Sequence, residues 1–165
     1  MTFQPGSPIN PADPADPSDS GAPSEPAAAG PSLLDRLGGR DAVEAVVDAF
    51  YSRVEGDEEL RAVFPDDLGP GREKQKLFME QWLGGEPRYS ERYGHPQLRL
   101  RHFPFVISER AAGRWMRHMT GALRESGAAD DLVAELLTML GPLAQHMVNE
   151  GQPVPREPLA DPYLS

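Results

Sequence analysis

An imidazole can bind a metal or transfer a proton near neutral pH, so the histidines are the first residues to consider. The sequence has four of them, His95, His102, His118 and His146. No two are four residues apart, as the histidines of a helical zinc motif are. No nucleophile stands in an evident triad with one of them, and the absence of cysteine excludes thiolate ligands and thiol nucleophiles. Chemistry that needs a single imidazole is therefore favoured over a site with several histidine ligands.

The segment LRLRHFPFVI contains a histidine in surroundings that suit one such chemistry, the axial ligation of a haem iron. A haem site needs an imidazole at an apolar cleft, an apolar lining, and cations near the propionates. His102 is predicted to end a short helix, with Leu98 one turn before it and Phe105 as an apolar neighbour. Arg99 and Arg101 supply cations. A histidine beside apolar residues is also an ordinary helix-end residue, so this segment alone leaves both interpretations open.

A second group of residues shares one face of a predicted helix. Its members follow helical steps of four, three and four residues and are Gly71, Gln75, Phe78 and Trp82. A glycine, an amide side chain and two aromatic rings are an unusual combination for a helix face whose only role is packing. Tyr51 and Trp115, on other predicted helices, each carry one polar group that needs a partner when it is buried. Taken singly, each of these residues also fits an ordinary aromatic core.

Helices must position these residues, because apolar side chains recur with helical spacing along the chain. The clearest series is Val43, Val46, Val47, Phe50 and Val54, which marks one buried helical face. The pair GG at 38–39 precedes this helix, and Gly56 ends it. Ser108 is typical of an N-cap for the later helix that carries Trp115.

Three further helices and one link complete the predicted domain. The helices are DEELRAVF, ended by Pro65, GREKQKLFMEQWL, ended by Gly84, and DDLVAELLTMLGPLAQHMVNE, which Gly141 and Pro142 should kink or split. An irregular link is expected from Gly84 to about Pro96. No segment alternates with period two for long enough to form a strand, so we predict an all-α fold.

Composition divides the 165 residues into one domain and two tails. Residues 1–31 contain eight of the 18 prolines and no lysine or arginine, and such a segment buries too little apolar surface to fold. Residues 151–165 form a second Pro-rich tail. We predict that both tails are disordered and that residues 32–150 form the folded domain.

Charge and hydropathy argue against several classes of protein. A net charge of -10 and a pI of about 4.8 do not suit nucleic-acid binding or attachment to an anionic membrane. No apolar run approaches the roughly 20 residues of a membrane span. The N-terminus lacks the basic and apolar regions of a secretory signal. We therefore expect a soluble, cytoplasmic protein.

Seven segments, in order from about Leu33 to Asn149, resemble the truncated haemoglobins, specifically the group II type of bacteria and plants. They are GG at 38–39, VVDAFYSRV, LRAVFPDDL, FMEQWLGG, YSERYGHPQLRLRHFPFVIS, RWMRHM and LAQHMVN. The stretch from Tyr89 to Ile107 and the position of Trp115 are the most specific. The resemblance covers almost the whole predicted domain. It implies a truncated globin with a two-over-two helical sandwich around one haem b per chain.

The resemblance also implies roles for individual residues. It makes His102 the proximal ligand of the haem iron. The implied distal ligand-binding residues are Tyr51, Gly71, Gln75 and Trp115, and the predicted haem contacts are Phe64, Phe78, Leu98 and Phe105. The residues placed near the propionates by position are Arg99, Arg101, Lys74 and Tyr89, and for any one of them a solvated position at the surface is the favoured alternative. Two features depart from the family: Phe64 replaces a frequent tyrosine, and Gly141-Pro142 is unexpected in the last helix.

Three functions remain open at this point. The first is reversible binding of dioxygen and other diatomic gases, held by hydrogen-bond donors in the distal pocket. The second is a haem oxidoreductase on the same site, acting on peroxide or nitric oxide with electrons from an unidentified reductase. The third is a haem-free helical interaction module, which would leave the histidine and the distal residues unexplained. The sequence leaves open whether two copies form a homodimer.

Overall fold

The computed structural model describes residues 30–158, and within that range the chain folds into eight α-helices without a strand. They are α1 (Leu33–Leu37), α2 (Arg40–Glu55), α3 (Glu58–Arg61), α4 (Gly69–Trp82), α5 (Arg88–Tyr93), α6 (Leu98–His102), α7 (Glu109–Glu125) and α8 (Asp130–Met147). The predicted all-α domain is confirmed. Nearly all of the predicted N-terminal tail lies outside the described residues, as do residues 159–165. No helix in the described range is long and apolar enough to cross a membrane.

A two-glycine turn separates the first two helices. α1 begins with a capping box, in which Ser32 Oγ accepts from the Asp35 N–H and the Asp35 carboxylate accepts from the Ser32 N–H. Gly38 and Gly39 follow with φ angles of +116° and +83°, a conformation that glycine adopts without strain. The chain can therefore turn sharply into α2. We did not predict α1, because a five-residue helix shows too little periodicity in a sequence.

α2 lies at the centre of the domain. Its predicted apolar face is buried, and at most 1% of the surface is exposed for each of Val43, Val46, Val47, Phe50 and Val54. α2 packs against α4 in one layer and against α7 across the core, and α7 packs against α8 in the other layer. Burial of an aliphatic or aromatic side chain of this size contributes roughly 1.5–3 kcal/mol. Each of these residues therefore contributes more than a typical surface ion pair.

The link between Gly84 and Pro96 contains α5, so the prediction of an irregular link was wrong there. Tyr89 and Tyr93 lie one turn apart on this helix, with ring centroids 5.2 Å apart. Tyr89 also packs edge-on against Phe78 of α4, at a centroid distance of 5.8 Å. Six residues are too few to form a stable helix alone, so α5 depends on these tertiary contacts.

The last helix is not split at Pro142. α8 continues from Asp130 to Met147 with Pro142 inside it. Proline has no N–H, so the carbonyl oxygen of Thr138 loses its usual helical donor. Both Thr138 and Pro142 are exposed, and water can satisfy that carbonyl. Of the two predicted effects, the split is wrong because the proline lies on the solvent side of the helix, and the kink stays a prediction.

An ion cluster attaches α3 to α7. Asp57 caps α3 by accepting from the Leu60 N–H, and its carboxylate accepts from Arg114 at 2.9 Å and contacts His118 Nε2 at 2.7 Å. The hydrogen bond with His118 is the main cause that holds the pKa of Asp57 well below its usual range. The His118 side chain is only 16% exposed and belongs to this helix junction.

Gly85 closes the turn after α4, and we predict that Gly85→Ala destabilises the domain. A Cβ at this position would lie 2.7 Å from the Glu80 carbonyl oxygen and 2.7 Å from Leu34 Cδ2. The carbonyl cannot move away without disturbing α4. We expect the free energy of unfolding to fall by about 1–3 kcal/mol, measured by urea denaturation with circular dichroism.

The matched control is Gly113→Ala. Gly113 lies on the exposed side of α7, and nothing lies within 4 Å of an added Cβ there. Alanine should leave the stability unchanged or raise it by up to about 1 kcal/mol, because it is the better helix former. If Gly85→Ala were as stable as the wild type, the turn could open to admit a methyl group, contrary to this prediction.

Candidate functional site

The candidate proximal side is built on α6, the five-residue helix that ends at His102. His102 Nδ1 lies 2.6 Å from the carbonyl oxygen of Leu98, one turn earlier. A carbonyl oxygen only accepts, so the proton of a neutral imidazole lies on Nδ1 and Nε2 keeps its lone pair. The same bond orients the ring. The predicted position of His102 at the end of a short helix is confirmed.

The surroundings of His102 keep its ring uncharged. Burial is the main cause that lowers the pKa of His102 below its usual value, and the bond to the Leu98 carbonyl opposes this only in part. Leu98 and Phe105, both predicted haem contacts, are partly buried against the apolar core. A neutral imidazole with its Nε2 lone pair available is the form that binds a metal ion. His102 therefore fits the part of an axial iron ligand.

The candidate distal side is an aromatic cluster centred on Phe50 of α2. The ring centroid of Phe50 lies 5.5 Å from that of Tyr51, 5.3 Å from that of Trp115 and 6.4 Å from that of Phe64. Tyr51 and Phe64 also pack edge-on at 5.9 Å. These distances are typical of favourable aromatic pairs. The structure thus brings together three predicted site residues from three separate parts of the chain.

Gly71 lies opposite the hydroxyl group of Tyr51. A Cβ on Gly71 would lie 3.3 Å from Tyr51 Oη, so the glycine leaves the space in front of the phenol free. Tyr51 is 3% exposed. Burial raises the pKa of Tyr51 to about 12, opposed in part by the charge of Arg72. A phenol is already protonated at neutral pH, and the raised pKa extends this into the alkaline range, so Tyr51 can donate a hydrogen bond.

Two salt bridges hold α4 over α2 at this point. Arg72 Nε donates to Asp48 Oδ1 at 2.7 Å, and Lys76 Nζ lies 3.0 Å from the same oxygen. Arg72 directly follows Gly71, so the pair fixes the part of α4 that faces Tyr51. Sequence reasoning missed these contacts, because charged residues on an amphipathic helix ordinarily point to solvent.

The other predicted residues of α4 and α5 lie where these two helices meet. Gln75 is half-buried on α4, and Phe78 packs against the buried ring of Tyr89. Lys74 Nζ lies 4.9 Å from the centre of the Tyr93 ring, a cation–π distance. Lys74 and Tyr89 thus both belong to this helix junction. Their contact with haem propionates stays a prediction.

Both arginines beside His102 bond to backbone carbonyls. Arg101 donates to two carbonyl oxygens that precede α6, each at 3.1 Å. Arg99 donates to two carbonyl oxygens at the end of α8. The two side chains therefore hold α6 in place, a role that the sequence did not indicate. Their predicted contact with propionates stays a prediction.

Two residues that sequence analysis did not single out also contact the turn after His102. Asn149 is fully buried and donates to the carbonyl oxygen of His102 at 3.2 Å. Arg156 donates to the carbonyl oxygens of Phe103 at 2.9 Å and Phe105 at 3.2 Å. The tail was predicted to begin at residue 151, yet its first part is attached to the domain through Arg156. The sequence carried no clear signal, because asparagine after a helix is an ordinary turn residue.

The comparison with known proteins agrees with this geometry. Residues 32–149 match the bacterial-like globin family. The chain is a bacterial-like globin. Among its relatives, the group 2 truncated haemoglobin of Bacillus subtilis is 40% identical to this globin over 112 residues, which are 68% of this chain and 85% of the relative.

Solved structures are similar to the globin over nearly their whole length. The haemoglobin of the thermophilic phototrophic bacterium Chloroflexus aurantiacus is 43% identical, with a TM-score of 0.70 over 73% of this chain and 99% of the other. A truncated oxygen-avid haemoglobin from Bacillus subtilis is 38% identical, with a TM-score of 0.68 over 72% and 100% of the two chains.

These findings confirm the group II truncated haemoglobin resemblance and the two-over-two fold. This globin, like its family, binds one haem b per chain. The neutral imidazole of His102 and the apolar surroundings of Tyr51 and Trp115 fit that cofactor, because haem needs one axial nitrogen ligand and an apolar cleft.

We predict that His102→Ala removes the axial ligand and most of the haem affinity. Loss of a hydrogen-bond partner of a metal-binding histidine typically weakens metal binding by about 10–100-fold. Loss of the histidine itself should weaken haem binding by more than that. The measurement is the Soret absorption and the rate of haem transfer to an excess of acceptor apoprotein. His146→Ala is the matched control, because it removes an exposed imidazole near the end of α8. An unchanged Soret spectrum in His102→Ala would assign the ligand to another residue.

Proposed function

We propose that this globin binds dioxygen and other diatomic gases reversibly and holds them by hydrogen bonds from its distal pocket. The proposed donors are the Tyr51 hydroxyl, the Gln75 amide and the Trp115 indole N–H. The observation that carries the proposal is the state of Tyr51, whose buried and protonated hydroxyl faces the space left by Gly71. The relative from Bacillus subtilis, described as oxygen-avid, supports it.

Haem held by His102 would supply a ferrous iron that can bind a small gas. The role of the polypeptide is to exclude water from the side where the gas binds and to orient hydrogen-bond donors towards the gas. A hydrogen bond to a partner with ionic character contributes about 1.5–3 kcal/mol, and low polarity around it strengthens it. Because the aromatic cluster fixes the Tyr51 ring before a gas binds, the ring needs little reorientation when it donates to the gas. Release should be slow, which suits sensing or chemistry better than rapid delivery.

We predict that Tyr51→Phe speeds the release of dioxygen by about tenfold or more, a factor that corresponds to roughly 1.4 kcal/mol. The substitution removes the donor and keeps the ring, so the packing against Phe50 and Phe64 is retained. Release is measured by stopped flow, with carbon monoxide replacing dioxygen. Gln75→Leu and Trp115→Phe should act in the same direction.

Tyr93→Phe is the matched control for this series. It removes a hydroxyl from a half-buried tyrosine that lies outside the aromatic cluster. Its release rate should equal that of the wild type. If Tyr51→Phe released dioxygen no faster than Tyr93→Phe, the phenol would not be a donor to the gas.

We predict that Gly71→Leu slows the association of carbon monoxide. Its Cβ alone would lie 3.3 Å from Tyr51 Oη, so the rest of the side chain must occupy the space in front of the phenol. An added barrier of about 1.4 kcal/mol would give a tenfold slower rate, measured by flash photolysis. Gly113→Leu, with nothing within 4 Å of its Cβ, should associate at the wild-type rate. If Gly71→Leu did so too, gases would reach the pocket by another route.

A further inference from the structure

The chain that follows α8 lies against the turn that follows His102, and Asn149 is the centre of this contact. Asn149 is 0% exposed. Its Nδ2 donates to the carbonyl oxygens of His102 at 3.2 Å and Phe105 at 2.9 Å. Its Oδ1 accepts from the Ile107 N–H at 3.1 Å. One buried amide thus satisfies three backbone groups, from the last residue of α6 to the turn before α7.

Arg156 holds Asn149 in this orientation. Its guanidinium donates to Asn149 Oδ1 at 2.7 Å and to the Asn149 carbonyl oxygen at 3.0 Å. The same group donates to the carbonyl oxygens of Phe103 and Phe105. The Asn149 amide therefore cannot rotate without breaking several hydrogen bonds at once, and unmade bonds of buried groups are strongly unfavourable.

Arg99 makes the reverse connection, from α6 to the end of α8. It donates to the carbonyl oxygens of His146 and Val148 and to Gln152 Oε1, the last at 2.5 Å. The last carbonyls of a helix have no partner within the helix. A side chain of α6 thus closes the end of α8, while Asn149 closes the end of α6. The C-terminal ends of α6 and α8 are therefore joined by hydrogen bonds from each side, through Arg99 and through Asn149.

We propose that Asn149 is a positioning residue for His102, and that Arg156 keeps Asn149 in the orientation this requires. The inference rests on the proposed role of His102 as the iron ligand. With five residues, α6 is too short to be stable alone, so the contacts at its ends decide where it lies.

The geometry links Asn149 to the ring of His102 through one peptide group. Asn149 holds the carbonyl of His102, and the Leu98 carbonyl holds Nδ1 of the same residue. A movement of either end turns the ring and redirects Nε2. Groups that orient a metal-bound histidine change metal affinity by about 10–100-fold when they are removed, which sets the size of the effect expected here.

Asn149→Ala tests the proposal in the full-length, haem-bound protein. The first measurement is the iron–histidine stretching band in resonance Raman spectra of the deoxygenated ferrous protein, since this band depends on the orientation of the ring. We expect it to shift or broaden, and haem loss to an acceptor apoprotein to become about tenfold faster. Loss of stability alone would speed haem loss but leave the band in place.

A second measurement does not need haem. In the haem-free protein, the nitrogen NMR signals of the His102 ring report which nitrogen carries the proton. The wild type should have the proton on Nδ1, as the bond to Leu98 requires. Asn149→Ala should give a mixture of the two tautomers. An unchanged tautomer would count against the proposal.

Two further variants separate positioning from folding. Asn149→Asp keeps the acceptor for Ile107 and Arg156 but removes the donor to the His102 carbonyl, so it should shift the Raman band as Asn149→Ala does. Arg156→Ala leaves Asn149 in place and should shift the band in the same direction by less. His146→Ala, an exposed change near the same helix end, should leave the band unaltered.

The outcomes distinguish this inference from the function on which it rests. If Asn149→Ala does not fold, Asn149→Asp and Arg156→Ala decide. A wild-type Raman band and wild-type haem loss in both variants would overturn the inference while leaving the role of His102 intact. An unchanged Soret spectrum in His102→Ala would instead overturn the ligand assignment itself.

Discussion

The hydrogen bond between His102 Nδ1 and the Leu98 carbonyl is the interaction on which the rest of the site depends. It selects the neutral tautomer with Nε2 available, and it fixes the direction of the ring. The bond requires helical geometry over one turn, and α6 is a five-residue helix that would not form alone. Arg99 and Arg101 tie α6 to carbonyls outside it, and Asn149 ties its last carbonyl to the end of the domain. Much of the polar structure around α6 therefore stabilises one short helix.

The distal side is held by a different kind of force. Rings of Tyr51, Phe64 and Trp115 pack around Phe50, so their positions are set by shape and burial more than by hydrogen bonds. The same burial raises the pKa of the Tyr51 phenol further above neutral pH, and Gly71 leaves the space in front of it free. Contacts that share no partner usually contribute additively. Changes on the distal side should therefore alter gas binding with little effect on how the haem is retained by the proximal side.

The long helices could be predicted from the sequence because their apolar residues repeat with a clear period, as Val43 to Val54 do in α2. The residue types drew attention to His102, Gly71 and Tyr51, whereas the roles of these residues came from the family resemblance and stay predictions. The short helices α1 and α5 could not be predicted in this way, because capping and tertiary contacts stabilise them. Nor could the bonds of Asn149 and Arg156, which join residues 42 to 53 positions apart and leave no periodic pattern.

The position of Asn149 and Arg156 after the last helix has a thermodynamic consequence. If their contacts raise haem affinity by orienting His102, haem must stabilise those contacts by the same factor, because coupling between two binding events is reciprocal. The end of the domain is then more firmly attached in the haem-bound protein than in the haem-free one, by that same factor. The chain beyond α8 would thus respond to haem, although it lies outside the two layers that enclose the core. A C-terminal segment that packed on the domain without the hydrogen bonds of Asn149 and Arg156 would show no coupling to haem binding.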